Sequence, residues 1–276
     1  MSWCVNVVSK SGKRSTKMKK AIFLFNRSRH MLQPWLDAGY ECWTFDGQLP
    51  DGVHEVEPGL MAVGMWFDAS ATSVHASDVA RIVGGGVKFI ASFAECTYLT
   101  TTGARWLYHP DDRDLPTAER RPHPAYPNRR RDMDDAVKLA KFVELVEAYC
   151  HIVNSDFATG PIPWMLENPA RSFLPKLWRN FNHTFNPCDY GGYIPEGEEM
   201  HPDYPGVIPE RDAYTKLTGI WCSEAFVMPE PKPVEPVGKD FNRAIKVGGK
   251  STRTKNIRSA TPRGFALAVF EANHRA

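Results

Sequence analysis

Short apolar runs alternate with stretches of helical spacing along the first third of the chain. Residues 21–25 (AIFLF) are unbroken apolar, which predicts a buried strand. A polar loop follows at 26–30, and residues 31–38 carry apolar side chains at helical spacing until Gly39 ends the helix. Residues 41–45 (ECWTF) predict a second strand ending at Asp46, so the chain opens as a strand–loop–helix–strand unit. Residues 61–67 predict a third strand with Asp68 at its end, and 78–83 a short helix closed by the glycine run 84–86. Residues 87–93 (VKFIASF) predict a fourth strand that delivers Ala94, Glu95, Cys96 and Thr97. The pattern then breaks. Residues 109–131 are rich in proline, arginine and aspartate without periodicity, and so long a loop in a compact domain is usually functional or disordered. Residues 134–150 predict a helix with Ala136, Ala140, Val143 and Val146 on one face. Residues 164–166 give a short strand running into Glu167, Asn168 and Pro169. The stretch 186–236 is crowded with prolines and glycines and predicts little regular structure, while 262–272 (PRGFALAVFEA) predicts a closing helix begun by a proline.

These elements predict an α/β fold, a mostly parallel sheet with helices on both faces. The organisation reads as a basic N-terminal extension (1–20), a main α/β domain (21–185), a small irregular lobe (186–256), and a C-terminal helical segment (257–276) packing back on the main domain. In open sheets of this kind, ligands bind at the carboxyl ends of the strands. The loop after Phe25, Asp46, Asp68, Cys96 and Glu167 all fall at such ends. Candidate chemistry therefore converges on one rim.

Composition narrows the picture further. The chain has 276 residues, 42% of them hydrophobic, enough for a large core. No apolar run is long enough for a membrane span, and the start lacks the basic-then-apolar order of a signal peptide, so the expected location is cytoplasmic. The six cysteines form no C-x-x-C pair, which predicts neither a metal site nor a disulfide framework. Each is read as a buried thiol unless its surroundings argue otherwise. Net charge is only +2, but the basic residues cluster. Lys13, Arg14, Lys17, Lys19 and Lys20 form one group, and Arg120, Arg121, Arg129, Arg130 and Arg131 a second. A third runs Arg243, Lys246, Lys250, Arg253, Lys255, Arg258 and Arg263. Such one-sided charge suits a phosphate backbone, the alternative being solvated loops.

At this point a set of motifs in a fixed order bears on function. They are the strand–loop–helix at 21–38, Asp46, the Cys96 turn followed by 100–106 (TTTGARW), and Glu167-Asn168-Pro169. Then come 183–192 (HTFNPCDYGG), 214–218 (YTKLT) and 258–266 (RSATPRGFA). In this order the chain resembles the DNA cytosine-C5 methyltransferases, particularly the compact forms carried by bacteriophages. The resemblance implies a Rossmann-like methyltransferase domain, a small lobe at 186–256 that grips DNA, and residence in the cytoplasm of a bacterial host. It implies Cys96 as the nucleophile that adds to C6 of cytosine and Glu167 as the acid that holds N3, in a base flipped out of duplex DNA. Asn168 and Pro169 would shape the turn, with Pro169, Glu95 and Thr97 lining the substrate pocket, and Arg105 contacting the flipped base or a phosphate. Phe25, Asn26, Arg27, Arg29, Asp46 and Asp68 would border the donor, although each aspartate reads equally well as a strand-end cap. Residues 110–131 would be the mobile catalytic loop. Arg120, Arg121, Arg129, Arg130, Arg131, Lys250 and Arg253 would meet double-stranded DNA, and no obligate protein partner is implied.

Two positions depart from the family pattern. Its glycine-rich donor loop is replaced by Phe25-Asn26-Arg27-Ser28-Arg29-His30, with arginine at both glycine positions. Its Pro-Cys is replaced by Ala94-Glu95-Cys96. A neighbouring carboxylate raises a thiol's pKa if it points the same way. Three readings follow: methyl transfer from S-adenosylmethionine; transfer from another one-carbon donor, a folate or a carboxylated S-adenosylmethionine; or a non-catalytic DNA-binding relative.

Overall fold

Alternation of apolar side chains builds the sheet, and its strand order builds the site. The computed structural model describes residues 18–154, 160–238 and 251–274. Strand β1 (Lys20–Leu24) lies in the middle, parallel to β2 (Glu41–Glu57) on one side and to β4 (Val87–Ser92) on the other. Strand β3 (Leu60–Gly64) extends the sheet beyond β2, and β5 (Trp164–Pro169) continues it in parallel beyond β4. Strand β7 (Thr218–Cys222) then runs antiparallel to both β5 and the edge strand β6 (His183–Phe185). The order is β3-β2-β1-β4-β5-β7-β6. The chain leaves β1 toward one edge and resumes at β4 toward the other. The switch in strand order, where open sheets part to admit a ligand, therefore lies between β1 and β4.

Successive residues of each strand feed opposite cores. Ile22, Leu24, Ile90, Trp164, Leu166 and Trp221 face helices α2 (Thr72–Val83) and α3 (Arg129–Val153). Ala21, Phe23, Phe89, Ala91, Met165 and Ile220 face the other way, toward α1 (Gln33–Asp37) and the C-terminal helix. Two shorter helices complete the described chain before it: α4 (Leu174–Leu177) and α5 (Thr252–Ser259). The last, α6 (Arg263–Asn273), stacks Phe265 on Phe185 with ring centroids 3.8 Å apart. The α/β class and the mostly parallel sheet agree with the sequence pattern. No helix among the described residues is long and apolar enough to cross a membrane.

Four elements differ from the sequence expectation. β2 does not stop at Phe45. Its pairing with β3 runs in step from Cys42↔Leu60 to Asp46↔Gly64, then reverses from Val53↔Val63 to Glu57↔Leu60, so its second half folds back along the same partner. Helix α2 starts at Thr72, because apolar positions are sparse in its first turns while the small, polar residues there tolerate helix. Helix α3 starts at Arg129, so Arg129, Arg130 and Arg131 are helical and not loop; arginine is a good helix former and Asp132 favours the first turn. Finally, 186–236 contains β7 and the buried ring of Tyr190, which joins the core of α6. Residues 1–17 and Arg243, Lys246 and Lys250 lie outside the described residues.

The start of α6 depends on close backbone approach. A Cβ at Gly264 would collide with the Tyr190 carbonyl, while the Gly264 N–H donates to buried Asp212 Oδ2 at 3.0 Å. Gly264→Ala must move backbone and is expected to destabilise the protein by about 2–3 kcal/mol, measured by chemical denaturation. An unchanged midpoint would show that the two segments separate without cost.

Candidate functional site

Cys96 is fixed from several sides. As β4 ends, the Phe93 N–H donates to Leu24 O at 3.0 Å and keeps the exit against β1. Asn168 Nδ2 donates to Ala94 O at 3.0 Å, tying β5 to the chain just before the cysteine. The Cys96 carbonyl accepts from the N–H groups of Leu99 and Thr100, both at 3.0 Å, so the chain turns sharply there. From outside, Arg129 donates to Thr97 O at 2.8 Å and lies 4.7 Å over the Tyr98 ring. The thiol is half-buried at the resulting corner.

Glu167 projects from β5, and a residue that sequence reasoning gave no role stands beside it. Because β7 is antiparallel to β5, with Pro169↔Thr218 and Glu167↔Ile220, its amino end arrives at the carboxyl end of β5. That brings Lys216 to the rim. Its Nζ is 3.9 Å from Glu167 Oε1, with 20% and 11% of the two side chains exposed. The same ammonium donates to Arg258 O at 3.0 Å, and the Ala170 N–H donates to Leu217 O at 3.2 Å. The only sequence signal for Lys216 was its place in the YTKLT stretch.

The three groups share one field. Burial raises the Cys96 thiol, Lys216 pulls it back, and Glu95 and Glu167 push it up again. Burial also raises Glu167, again opposed by Lys216. A half-buried thiol, a buried carboxyl held toward its protonated form and an ammonium thus sit together. That set can support a nucleophile and an acid side by side.

The remaining rim positions gather around the β1–β2 exit. Phe25 takes a left-handed φ of 53°, a strained conformation for an aromatic residue, held by packing of its ring on Phe67 and Phe142. Asn26 is buried, and the Thr44 hydroxyl donates to its carbonyl. Arg27 donates to Gln48 Oε1 at 3.0 Å, and Arg29 pairs with Glu57, so both cations lean on the extended β2. Burial raises Asp46, while the Gln48 N–H and Arg27 lower it and Glu95 raises it. Glu95 itself is exposed and accepts from the Thr97 hydroxyl at 2.6 Å. β3 ends at Gly64, so Asp68 does not stand at a strand end as the sequence pattern predicts; its Oδ1 accepts from the Ser70 N–H and hydroxyl, both at 2.8 Å, within a local turn before α2. Trp66, 75% exposed, lies against Gly47 beside Asp46. Three buried polar atoms without partners, Asn26 Nδ2, Ser92 Oγ and Asn168 Oδ1, sit at the ends of β1, β4 and β5. They mark the switch point as a place built for polar contact.

The segment after Cys96 is a folded excursion. Trp106 meets His123 and Tyr126 edge to face, and Asp112, buried, takes a bidentate grip from Arg121. Arg120 donates to Leu115 O and Arg113 O. Of the arginines expected at DNA, Arg121 and Arg129 are thus engaged in holding the protein together. Arg130, Arg131 and Arg253 are exposed. Arg105 is exposed too, its guanidinium 4.6 Å over the Trp106 ring, and among the described residues no hydrogen bond or ion pair joins it to Cys96 or Glu167.

A second cluster escaped the sequence reading. His30, in the loop after β1, meets His201 with ring centroids 4.8 Å apart, and its Nε2 lies 3.0 Å from Asp203 Oδ2. His201 Nδ1 accepts from the N–H groups of Asp203 and Tyr204, which leaves that nitrogen occupied, so the cluster reads as a latch between two segments. No protein-family model matches this chain, and no curated protein is significantly similar to it.

Proposed function

We propose that this protein modifies C5 of cytosine in DNA through a covalent bond between Cys96 Sγ and C6 of a flipped-out base. The observation that carries the reading is the placing of Cys96 and Glu167 at adjoining strand ends, tied by the Asn168–Ala94 bond, with Lys216 3.9 Å from Glu167. The α/β sheet, with its switch point beside Cys96, supports a methyltransferase-type domain. In the proposed reaction the Cys96 thiolate forms the S–C6 bond, Glu167 hydrogen-bonds N3, and electron density moves to C5, which becomes nucleophilic. Lys216 offsets the negative charge shared by thiolate and carboxylate. As C5 takes the new carbon, that carbon's bond to its donor would break with the electron pair staying on the donor; loss of the C5 proton to water and breakage of the S–C6 bond would then return the thiolate and the aromatic ring.

A bound donor, S-adenosylmethionine or a folate or carboxylated S-adenosylmethionine, supplies an electrophilic carbon. The residues at the switch point fit a polar donor: Asn26 offers an unpaired amide, Asp46 a carboxylate, Arg27 a cation and Trp66 a ring face. Arg27 beside Asp46 favours a donor with an anionic group, and Arg29 is already neutralised by Glu57. A second reading, a DNA-binding relative without chemistry, is favoured by the raised thiol of Cys96. Digestion to nucleosides and mass spectrometry of DNA from expressing cells separates the two. A new cytosine species that vanishes with Cys96→Ser supports chemistry, and its mass identifies the group added. Unmodified DNA in a host supplied with all three donors favours the binding reading.

Double-stranded DNA is the proposed partner, met by Arg130, Arg131 and Arg253. Affinity is then expected to fall linearly in log–log against salt, by about 0.9 per phosphate neutralised. A flat response in a fluorescence-anisotropy titration would mean that these arginines do not face phosphate.

A further inference from the structure

The excursion after Cys96 carries a half-open cleft of about 280 Å³ whose lining includes Arg105, Trp106, Tyr108, Arg113, Arg120 and His123. Its charge is unusual. Among the described residues, none of Arg105, Arg113 and Arg120 has a carboxylate partner, whereas Arg121 in the same segment is fully paired with Asp112. Arg130 from α3 adds a further guanidinium, 5.3 Å over Tyr108, on which Arg120 also lies at 5.7 Å. Asp111, Asp114 and Glu119 lie in the same excursion but pair with none of these guanidinium groups, and an anion placed among the cations gains from all of them. The walls that are not cationic are aromatic. Trp106 is held upright by His123 and Tyr126, with ring centroids 5.1 and 5.2 Å away. The excursion is pinned as a unit by the Arg121–Asp112 grip and by the His109 N–H donating to Arg121 O at 2.8 Å. The cavity is therefore preformed.

We propose that this cavity binds one nucleotide, its phosphate among Arg105, Arg113 and Arg120 and its base against Trp106 or Tyr108. The volume lies just below the usual span of ligand sites, ~300–1,000 Å³, and limits the occupant to about one nucleotide. Stacking on aromatic side chains is tolerant of base identity, so the site selects nucleotide and not sequence. Resting on the DNA reading, the nucleotide is one near the target cytosine in the same duplex. The site is separate from the Cys96 corner and would hold the strand open beside it. Arg105 then acts on a neighbouring nucleotide and not on the reacting base.

The same chemistry is offered by a free nucleotide, and the test distinguishes the two sources. The full chain is mixed with a duplex carrying 5-iododeoxyuridine at positions flanking one cytosine, irradiated, and mapped by peptide mass spectrometry. The expected adduct is on Trp106 or Tyr108. Arg113→Gln, a change at an exposed side chain that makes no hydrogen bond or ion pair among the described residues, is expected to weaken DNA binding severalfold and reduce the salt slope by about 1. Adducts confined to other peptides, together with an unchanged slope, overturn the proposal. Deoxyadenosine monophosphate binding that is lost in Arg113→Gln while the duplex never crosslinks in the cavity overturns the DNA assignment and names a free nucleotide as ligand. If Cys96-dependent cytosine chemistry is observed while Arg113→Gln binds DNA as wild type, the cavity proposal fails and the cytosine reading stands. An adduct on Trp106 without cytosine chemistry gives the reverse.

Discussion

Cys96→Ala is expected to fold, to bind duplex DNA and to form no modified cytosine. The turn that carries the thiol is held by the Asn168–Ala94 bond, the Arg129–Thr97 bond and the N–H groups of Leu99 and Thr100, none of which uses the sulfur. Removing one half-buried sulfur therefore costs little stability. The chemical loss is total, because none of the other described thiols, on β2, α3, the 187–193 turn and the far end of β7, lies at the β4 exit where Cys96 stands. Cys42 and Cys150 are buried with their thiols raised, the latter to about 12, and Cys188 and Cys222 are pushed up to about 11, in each case first by burial. The expected fall is the whole enzymatic enhancement, about 10⁶-fold or more. Nucleoside mass spectrometry and anisotropy on the same preparation check it. Product at an undiminished rate from Cys96→Ala would remove the covalent route.

The second large effect is expected at Glu167 and Lys216, and its sign with pH is fixed by the geometry. Glu167→Gln keeps a hydrogen bond to N3 but no proton to share, and is expected to slow the reaction by ~10²–10⁴-fold. Activity should rise with pH as Cys96 ionises and fall as Glu167 loses its proton. Both groups are raised by burial, and Lys216 lowers both. Lys216→Met removes that opposing charge, so both groups move upward and the whole profile shifts to higher pH. A Lys216 that merely supports the fold, through its bond to Arg258 O, would lower the rate equally at every pH. A rate-against-pH curve for the two proteins tells these apart.

Much of the sheet was legible from period alone. Residues 21–25 are an unbroken apolar run and 41–45 and 87–93 are mostly apolar, as strands largely buried on both faces are, and they mark β1, the first half of β2 and β4. β7 was hidden because TGIWC is five residues between glycine- and proline-rich flanks and gains its strand character only from β5 and β6 alongside it. Missing that strand meant missing Lys216, since only the antiparallel direction carries it to Glu167. The excursion at 107–128 was equally opaque: its order comes from Asp112–Arg121 and a ring cluster, contacts without periodicity. The turn residues Cys96 and Glu167 were findable because strand ends are where open sheets put chemistry, and the cationic donor loop was visible as a departure. What Arg27 and Arg29 do was not visible, because their partners Gln48 and Glu57 lie on a strand half that doubles back.

The central claim, addition of Cys96 to C6 of cytosine, is testable without knowing the donor. Once the S–C6 bond forms, C5 can take a proton from solvent; loss of the original hydrogen and breakage of the bond then regenerate cytosine. Purified protein incubated with duplex DNA tritiated at cytosine C5, with no donor added, is therefore predicted to release tritium into water. Release should cease with Cys96→Ala and fall with Glu167→Gln. No release from DNA that the protein demonstrably binds would contradict the account and leave a DNA-binding protein.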